Sequence, residues 1–122
     1  MSKKVLIVDD EPDVVTFLSQ LFEDAGFEIA TANDGVQAYE TLEKVHPDLV
    51  TLDLQMPNDT GTDFYRRVHR KKSYSQIPII VISGLAGRHL AIKKPYAVFD
   101  KPIDEDKLLK TAREAVGLST TA

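Results

Sequence analysis

The stretch that decides the fold is Asp48-Leu49-Val50-Thr51-Leu52-Asp53-Leu54-Gln55-Met56-Pro57. Its apolar and β-branched residues predict a strand that is buried on both faces, as in a parallel sheet. Pro57 cannot continue a central strand, and Gly61 is expected to let the chain turn. Asp53 is therefore predicted to lie at the carboxyl end of the strand. In an open α/β sheet, ligands bind at that edge.

Similar apolar runs recur on both sides of this stretch and alternate with segments of helical periodicity. They predict further strands at 3–8, 27–32, 77–83 and 97–99. Pro12 is expected to begin the first helix, and Asp104 is expected to cap the last one. Strands that alternate with helices in this way predict an α/β fold with helices on both faces of a parallel sheet. We expect a flavodoxin-like doubly wound sheet of five strands, in the order 2-1-3-4-5, with five helices.

One helix of this pattern is weak. Residues 85–97, between the fourth and fifth strands, carry little helical periodicity and contain Gly87 and Pro95. This helix is therefore predicted to be short or distorted. The domain is predicted to cover residues 1–117, followed by a polar tail at 118–122 with no output domain after it.

Composition excludes several classes of function. The 122 residues contain no cysteine, which excludes disulfides, cysteine-ligated zinc, iron–sulfur clusters and thiol catalysis. The net charge of −4 argues against direct binding of nucleic acid. The N-terminal apolar run is too short for a signal peptide, and no run is long enough to span a membrane. We expect a cytoplasmic protein with no membrane association.

Four predicted strands end in residues that carry chemistry. Asp9 and Asp10 end the first, Asp53 the third, Ser83 the fourth and Lys101 the fifth. In the expected strand order the first and third strands are neighbours, so three carboxylates would converge and repel one another unless a cation intervenes. Oxygen ligands of this kind suit Mg²⁺, and Lys101 and Ser83 could hold a tetrahedral anion beside Asp53. An aspartate placed there can act as a nucleophile and form an aspartyl-phosphate.

Each of these residues also has an ordinary structural explanation. Asp9, Asp10 and Glu11 before Pro12 suit a helix start, where acidic side chains interact favourably with the helix dipole. Asp53 could simply form a turn, and Ser83 and Lys101 could be loop residues. These explanations do not account for the occurrence of such residues at the ends of four strands together.

The motifs resemble those of the receiver domain of two-component response regulators over essentially the whole chain. They are Val-Asp-Asp-Glu-Pro at 8–12, Leu-Asp-Leu-Gln-Met-Pro at 52–57, Ile-Ser-Gly at 82–84 and Lys-Pro at 101–102. The resemblance implies that Asp53 takes a phosphoryl group from the phosphohistidine of a sensor histidine kinase or a phosphotransfer protein. It also implies that Mg²⁺ is held by Asp9, Asp10, Asp53 and the Gln55 backbone carbonyl. Ser83 and Lys101 would then contact the phosphoryl group, and an unknown downstream protein would read its presence.

The sequence departs from the family pattern in two places. The segment from Ser83 to Lys101 is about one helical turn shorter than is usual in the family. The family also has an aromatic residue three positions before the lysine, where this chain has Val98. Phe99 follows, but a shift of one residue in a strand points a side chain to the opposite face. The usual coupling between Ser83 and an aromatic residue is therefore predicted to be absent.

Three functions compete. The first is a phosphorylation-controlled switch that promotes only its own phosphorylation and dephosphorylation and is not otherwise an enzyme. The second is a receiver-shaped module that binds a protein without phosphorylation. The third is an aspartyl-phosphate phosphatase, which would need an acid where Gln55 stands. Nothing in the sequence identifies the kinase, the downstream output, the phosphoryl lifetime or the oligomeric state.

Overall fold

The strands form where the sequence carries its apolar runs. A computed structural model describes residues 2–83 and 95–118, except for the side chains of Asp59 and Ser83. The strands are β1 (Lys4–Val8), β2 (Glu28–Ala32), β3 (Leu49–Asp53), β4 (Ile79–Ser83) and β5 (Ala97–Asp100). They form one parallel sheet in the order β2-β1-β3-β4-β5, which confirms the predicted order. Every residue of the central strand β3 is buried, as its apolar sequence predicts.

Four α-helices cover the sheet within the described residues. They are α1 (Pro12–Asp24), α2 (Gly35–Val45), α3 (Thr60–Arg70) and α4 (Glu105–Ala115). The helix predicted between β4 and β5 falls mostly in residues 84–94, which lie outside the described part of the chain. Every helix in the described part is too short to cross a bilayer.

Local chemistry sets where the helices begin. Pro12 occupies the first turn of α1, where a missing N–H costs nothing. The Asp34 carboxylate caps α2 by accepting from the backbone amide of Gln37 at 2.7 Å. Asp104 caps α4 as predicted, accepting from the amide of Lys107 at 3.1 Å.

The prediction that Gly61 supplies the turn after β3 is wrong. The turn is a short 3₁₀ helix at Pro57–Asp59, in which Asn58 adopts a left-handed φ of 60°. Gly61 instead lies inside α3, where it is buried. A Cβ atom there would lie 2.7 Å from the backbone carbonyl oxygen of Asp53. The absence of a side chain therefore lets the start of α3 pack directly on the end of β3.

Each face of the sheet has its own apolar core. Because side chains alternate between the two faces along β5, Val98 and Phe99 pack in different cores. Val98 packs on the core beneath α2 and α3, which includes Leu42, Phe64 and Val68. Phe99 packs on the opposite core, beneath α1 and α4. The face beneath α2 and α3 therefore has valine at the position where the family carries its aromatic residue.

We expect Gly35→Ala to lower the free energy of unfolding by about 2 kcal/mol, because overpacking against rigid backbone is costly. An added Cβ at Gly35 would overlap the carbonyl oxygen of Thr60, where the start of α2 meets the start of α3. Urea unfolding followed by circular dichroism measures the loss. Gly26→Ala measures the cost of backbone strain alone, because nothing lies within 4 Å of that position and its φ is 93°. A loss below about 0.5 kcal/mol in Gly35→Ala would contradict the packing explanation.

Candidate functional site

Asp9 lies immediately after β1, and the fold holds its carboxylate in place. Its backbone amide donates to the carbonyl oxygen of Ala32 at 3.1 Å, which continues the pairing between β1 and β2. The Asp9 Oδ1 atom accepts from the backbone amide of Glu11 at 2.9 Å. The residue is almost completely buried. A buried carboxylate with one amide donor keeps a second oxygen available for a cation.

Asp53 ends β3, next to β1, and is 1% exposed. Its Oδ1 atom accepts from the backbone amide of Gln55 at 2.8 Å, so the turn after the strand fixes the carboxylate orientation. Its Oδ2 atom is buried and has no hydrogen-bond partner among the described residues. This oxygen retains its lone pairs for a reaction partner or a cation.

Lys101 also lies near Asp9 and Asp53, although its own strand is adjacent to neither β1 nor β3. It follows β5, yet its Nζ atom lies 3.8 Å from Asp9 Oδ2 and 3.8 Å from Asp53 Oδ2. Its shortest ion-pair distance within the described part of the chain, at 3.4 Å, is to Glu11 Oε1. One ammonium group therefore faces three carboxylates at the carboxyl edge of the sheet, and its charge only partly compensates theirs.

Burial and neighbouring charges together raise the pKa values of Asp9, Asp53 and Lys101. Burial raises the pKa of Asp9 to about 6; the amide of Glu11 opposes this rise and the charge of Asp53 adds to it. Burial also raises the pKa of Asp53, although the amide of Gln55 and the charge of Lys101 lower it. Burial alone would lower the pKa of Lys101, but the carboxylates of Asp53, Asp9 and Glu11 raise it overall. Counting only residues 2–83 and 95–118, the site is thus short of positive charge.

The arrangement fits a divalent cation. Oxygen atoms from Asp9, Asp10, Glu11 and Asp53 all lie within 4.8 Å of one another. Two buried oxygens of this group, Asp10 Oδ1 and Asp53 Oδ2, have no hydrogen-bond partner among the described residues. Carboxylate oxygens are the ligands that Mg²⁺ prefers, and its charge would offset the repulsion between them.

The structure brings together most of the residues singled out from the sequence. Asp9, Asp10, Asp53 and Lys101 lie at one edge, and the amide of Gln55 holds Asp53. Ser83 ends β4, the strand beside β3, but its side chain lies outside the described set. Sequence reasoning missed Glu11, whose place before Pro12 was fully explained as a helix start. The only available signal was a third acid directly after Asp9 and Asp10.

A second charged surface lies at the opposite edge of the sheet, because α3 runs back from the end of β3 towards the start of β4. Five basic residues and one acidic residue give the segment 63–72 a net charge of +4. The rest of the chain therefore carries −8, since the net charge is −4. The guanidinium of Arg67 stacks 3.8 Å above the ring of Tyr39, and Lys71 lies 3.8 Å from Glu43. The positive charge of this segment is thus partly offset by Glu43.

We expect the metal-free protein to be less stable at neutral than at mildly acidic pH. The pKa of Asp9 rises from 3.8 to about 6 on folding, so the folded state binds this proton more tightly than the unfolded state. Stability therefore falls as the pH rises through this range, by about 1 kcal/mol between about pH 5 and about pH 7.5. Urea unfolding in EDTA measures the difference.

Asp9→Asn is the control for this pH dependence, because it removes the titrating group. The difference between the two pH values should shrink in that variant, and it should also shrink in wild type when saturating Mg²⁺ replaces the proton. A metal-free protein that becomes more stable as the pH rises through this range would contradict the assignment.

Comparison with known proteins identifies the family and the fold of the chain. The sequence profile of the response regulator receiver domain matches residues 5–113. Protein Rrf1 of Nitratidesulfovibrio vulgaris is 30% identical over 116 residues, which cover 95% of this chain and 84% of that protein. The crystal structure of the chemotaxis response regulator CheY4 of Vibrio cholerae superposes with a TM-score of 0.83 at 29% identity, covering 94% of this chain and 99% of that one.

Other relatives are much longer than this chain. The transcriptional regulatory protein PhoP of Bacillus subtilis is 35% identical over 84 residues, which are 69% of this chain but 34% of PhoP. The chain therefore spans about a third of that relative, and the match lies in the domain that both share. By its sequence and its fold, the chain belongs to the response regulator receiver domain family, the phospho-accepting switches of two-component signalling.

Proposed function

We propose that Asp53 accepts the phosphoryl group, from the phosphohistidine of a sensor histidine kinase or a phosphotransfer protein, and that Mg²⁺ is required. The observation that carries this proposal is the state of Asp53 Oδ2. This oxygen is buried and without a hydrogen-bond partner among the described residues, and it lies 3.8 Å from the Lys101 ammonium. An acid in this position has a free lone pair and a cation beside the place that an incoming phosphoryl group would occupy.

The proposed reaction conserves charge and atoms without a further co-reactant. Asp53 Oδ2 attacks phosphorus, the new P–O bond forms as the P–N bond breaks, and the electron pair of that bond stays on the departing imidazole nitrogen, which takes up a proton from solvent water. In the dephosphorylation step, water attacks phosphorus and the P–O bond to Asp53 breaks. This step releases inorganic phosphate and restores the carboxylate.

The surrounding residues supply orientation and charge. The Gln55 amide fixes Oδ1, so that Oδ2 faces Lys101, and the Lys101 ammonium would neutralise one phosphoryl oxygen. We assign the Ser83 hydroxyl to a second phosphoryl oxygen. Asp9, Asp10, Asp53 and the Gln55 carbonyl would hold Mg²⁺, which when bound supplies positive charge to the phosphoryl oxygens.

The chain would promote only its own phosphorylation and dephosphorylation. Phosphatases that pass through an aspartyl-phosphate need an acid to protonate the leaving group, and the amide side chain of Gln55 cannot do this. We place the active unit at residues 1–117 in the cytoplasm, with residues 118–122 as a tail. The phosphorylated form would change its affinity for a downstream protein rather than act on a substrate.

Intact-protein mass spectrometry after incubation with acetyl phosphate tests the proposal. We expect wild type to gain one phosphoryl group in saturating Mg²⁺ and to gain essentially none in EDTA, because four crowded carboxylates then repel the donor. Adding excess Mg²⁺ back to the EDTA sample is the control for irreversible damage. Absence of any gain in Mg²⁺ would overturn the proposal and favour a module that binds its partner without phosphorylation.

A further inference from the structure

We propose that Glu11 is a positioning residue that competes with Asp53 for the Lys101 ammonium in the unphosphorylated protein and thereby slows its reaction with anionic phosphodonors. This inference rests on the proposed role of Asp53 as the phosphoryl acceptor. It adds a regulating contact: Lys101 has to exchange the carboxylate of Glu11 for the phosphoryl group.

The distances around Lys101 point to this exchange. Lys101 Nζ donates its hydrogen bond to Glu11 Oε1 at 3.4 Å, and the Asp9 and Asp53 oxygens lie farther away, at 3.8 Å. All three separations are longer than a short N–H···O hydrogen bond, and Glu11 is the nearest of the three carboxylates. In the unphosphorylated protein, Glu11 therefore shares the ammonium with Asp9 and Asp53, and it is the one carboxylate of the three that takes no part in the proposed transfer.

The Glu11 carboxylate has no other structural role among the described residues. Glu11 occupies the N-cap position of α1, but its side chain makes no capping hydrogen bond. The backbone of Glu11 supplies the structural contacts, because its amide donates to Asp9 and its carbonyl accepts from Val14 and Val15. Replacing the carboxylate by an amide of the same shape leaves these backbone contacts intact, so the Glu11→Gln variant should fold.

The exposure of the Glu11 side chain makes it easy for Glu11 to release Lys101. The Glu11 side chain is 60% exposed, whereas those of Lys101 and Asp53 are 21% and 1% exposed. When a phosphoryl group arrives, Glu11 can release Lys101 and be solvated by water, whereas Asp53 cannot. When phosphate leaves, Glu11 is again the nearest acceptor and draws Lys101 back.

The charge of Glu11 has a second effect in the same direction. A phosphodonor that approaches Asp53 brings negative oxygens to within a few ångströms of Glu11, and like charges at that separation repel even in a largely aqueous environment. The effect grows with the charge on the donor and is reduced by salt. It should therefore be larger for acetyl phosphate than for the less highly charged phosphoramidate.

The test compares Glu11→Gln with Asp13→Asn at saturating Mg²⁺. Asp13 is exposed in the first turn of α1 and forms no ion pair within residues 2–83 and 95–118, so its replacement matches the change in net charge. We expect Glu11→Gln to raise the second-order rate constant for acetyl phosphate about 3- to 10-fold, largely through tighter donor binding, and to raise it less for phosphoramidate. We expect Asp13→Asn to change it less than about 2-fold.

A second measurement needs no phosphodonor. The side-chain ammonium resonance of Lys101, recorded by NMR in the absence of any donor, should shift in Glu11→Gln and stay in place in Asp13→Asn. Glu11→Ala should behave like Glu11→Gln, because the proposal depends on the charge and not on the amide.

The outcomes separate the two proposals. If wild type gains no phosphoryl group, the proposed function of Asp53 fails. If wild type reacts but Glu11→Gln and Asp13→Asn have equal rate constants, the role of Glu11 fails while that of Asp53 stands. An unchanged Lys101 resonance in Glu11→Gln would also overturn the role of Glu11.

Discussion

Asp53→Asn is expected to abolish phosphoryl incorporation, lowering the rate at least about 100-fold, because an amide oxygen is a far weaker nucleophile than a carboxylate. The variant keeps the hydrogen bond from Gln55 to the side-chain oxygen, so the site retains its shape. Intact mass after incubation with acetyl phosphate and Mg²⁺ measures the loss. Peptide mapping of the wild-type adduct should place the phosphoryl group on the peptide that contains Asp53.

Unfolding measurements distinguish this loss from a failure to fold. Asp53 is a buried carboxylate whose pKa is raised by burial, so its charged form destabilises the folded protein. The metal-free Asp53→Asn variant should therefore be more stable than wild type at neutral pH. Asp63→Asn, at an exposed acid on α3 that pairs only with Arg66 among the described residues, should react like wild type. Full phosphorylation of Asp53→Asn would mean that another acid is the acceptor.

Lys101→Met should lower the rate of phosphorylation by roughly 100-fold, the usual effect of removing one donor from a site that stabilises developing negative charge. The lysine is the only basic side chain among the described residues that contacts the carboxylates of Asp9 and Asp53. Without it, the approaching phosphoryl oxygens meet uncompensated acids. Mass measurements on quenched samples at several acetyl phosphate concentrations give the rate constants.

The same variant should lose stability in a pH-dependent way. Removing the cation leaves carboxylates unpaired, which costs roughly 1–3 kcal/mol at neutral pH. The loss should diminish towards about pH 5, because the acids then bind protons in place of the lysine charge. Lys110→Met, at an exposed position on α4, is the control for the change in net charge and should have little effect on either quantity. A Lys101→Met protein that reacts at the wild-type rate would remove Lys101 from the mechanism.

The sequence was sufficient to predict the strand order and the proximity of Asp9, Asp53 and Lys101, for a physical reason. Asp9 and Asp53 each terminate an apolar run, and parallel strands bring their carboxyl ends to one edge, so the pattern along the chain determines the proximity in space. The opposite faces of Val98 and Phe99 could be predicted in the same way, because side chains alternate along a strand.

The features that were missed or wrong depend on longer-range geometry. The contact between Glu11 and Lys101 joins residues 90 positions apart, and nothing local distinguishes Glu11 from an ordinary helix start. Gly61 was taken for a turn residue because glycine permits many conformations. Its actual role, letting α3 approach the Asp53 carbonyl, depends on how closely two elements pack. Sequence patterns predict which side of an element is buried, but not the closest approach between elements.

The distance along the domain between Asp53 and the last turn of α3 has a consequence for recognition. Phosphorylation of Asp53 would add negative charge at the carboxyl end of β3 and would leave the basic side chains at the far end of α3 unchanged. A partner that binds that end of α3 alone would therefore hold the phosphorylated and the unphosphorylated protein alike.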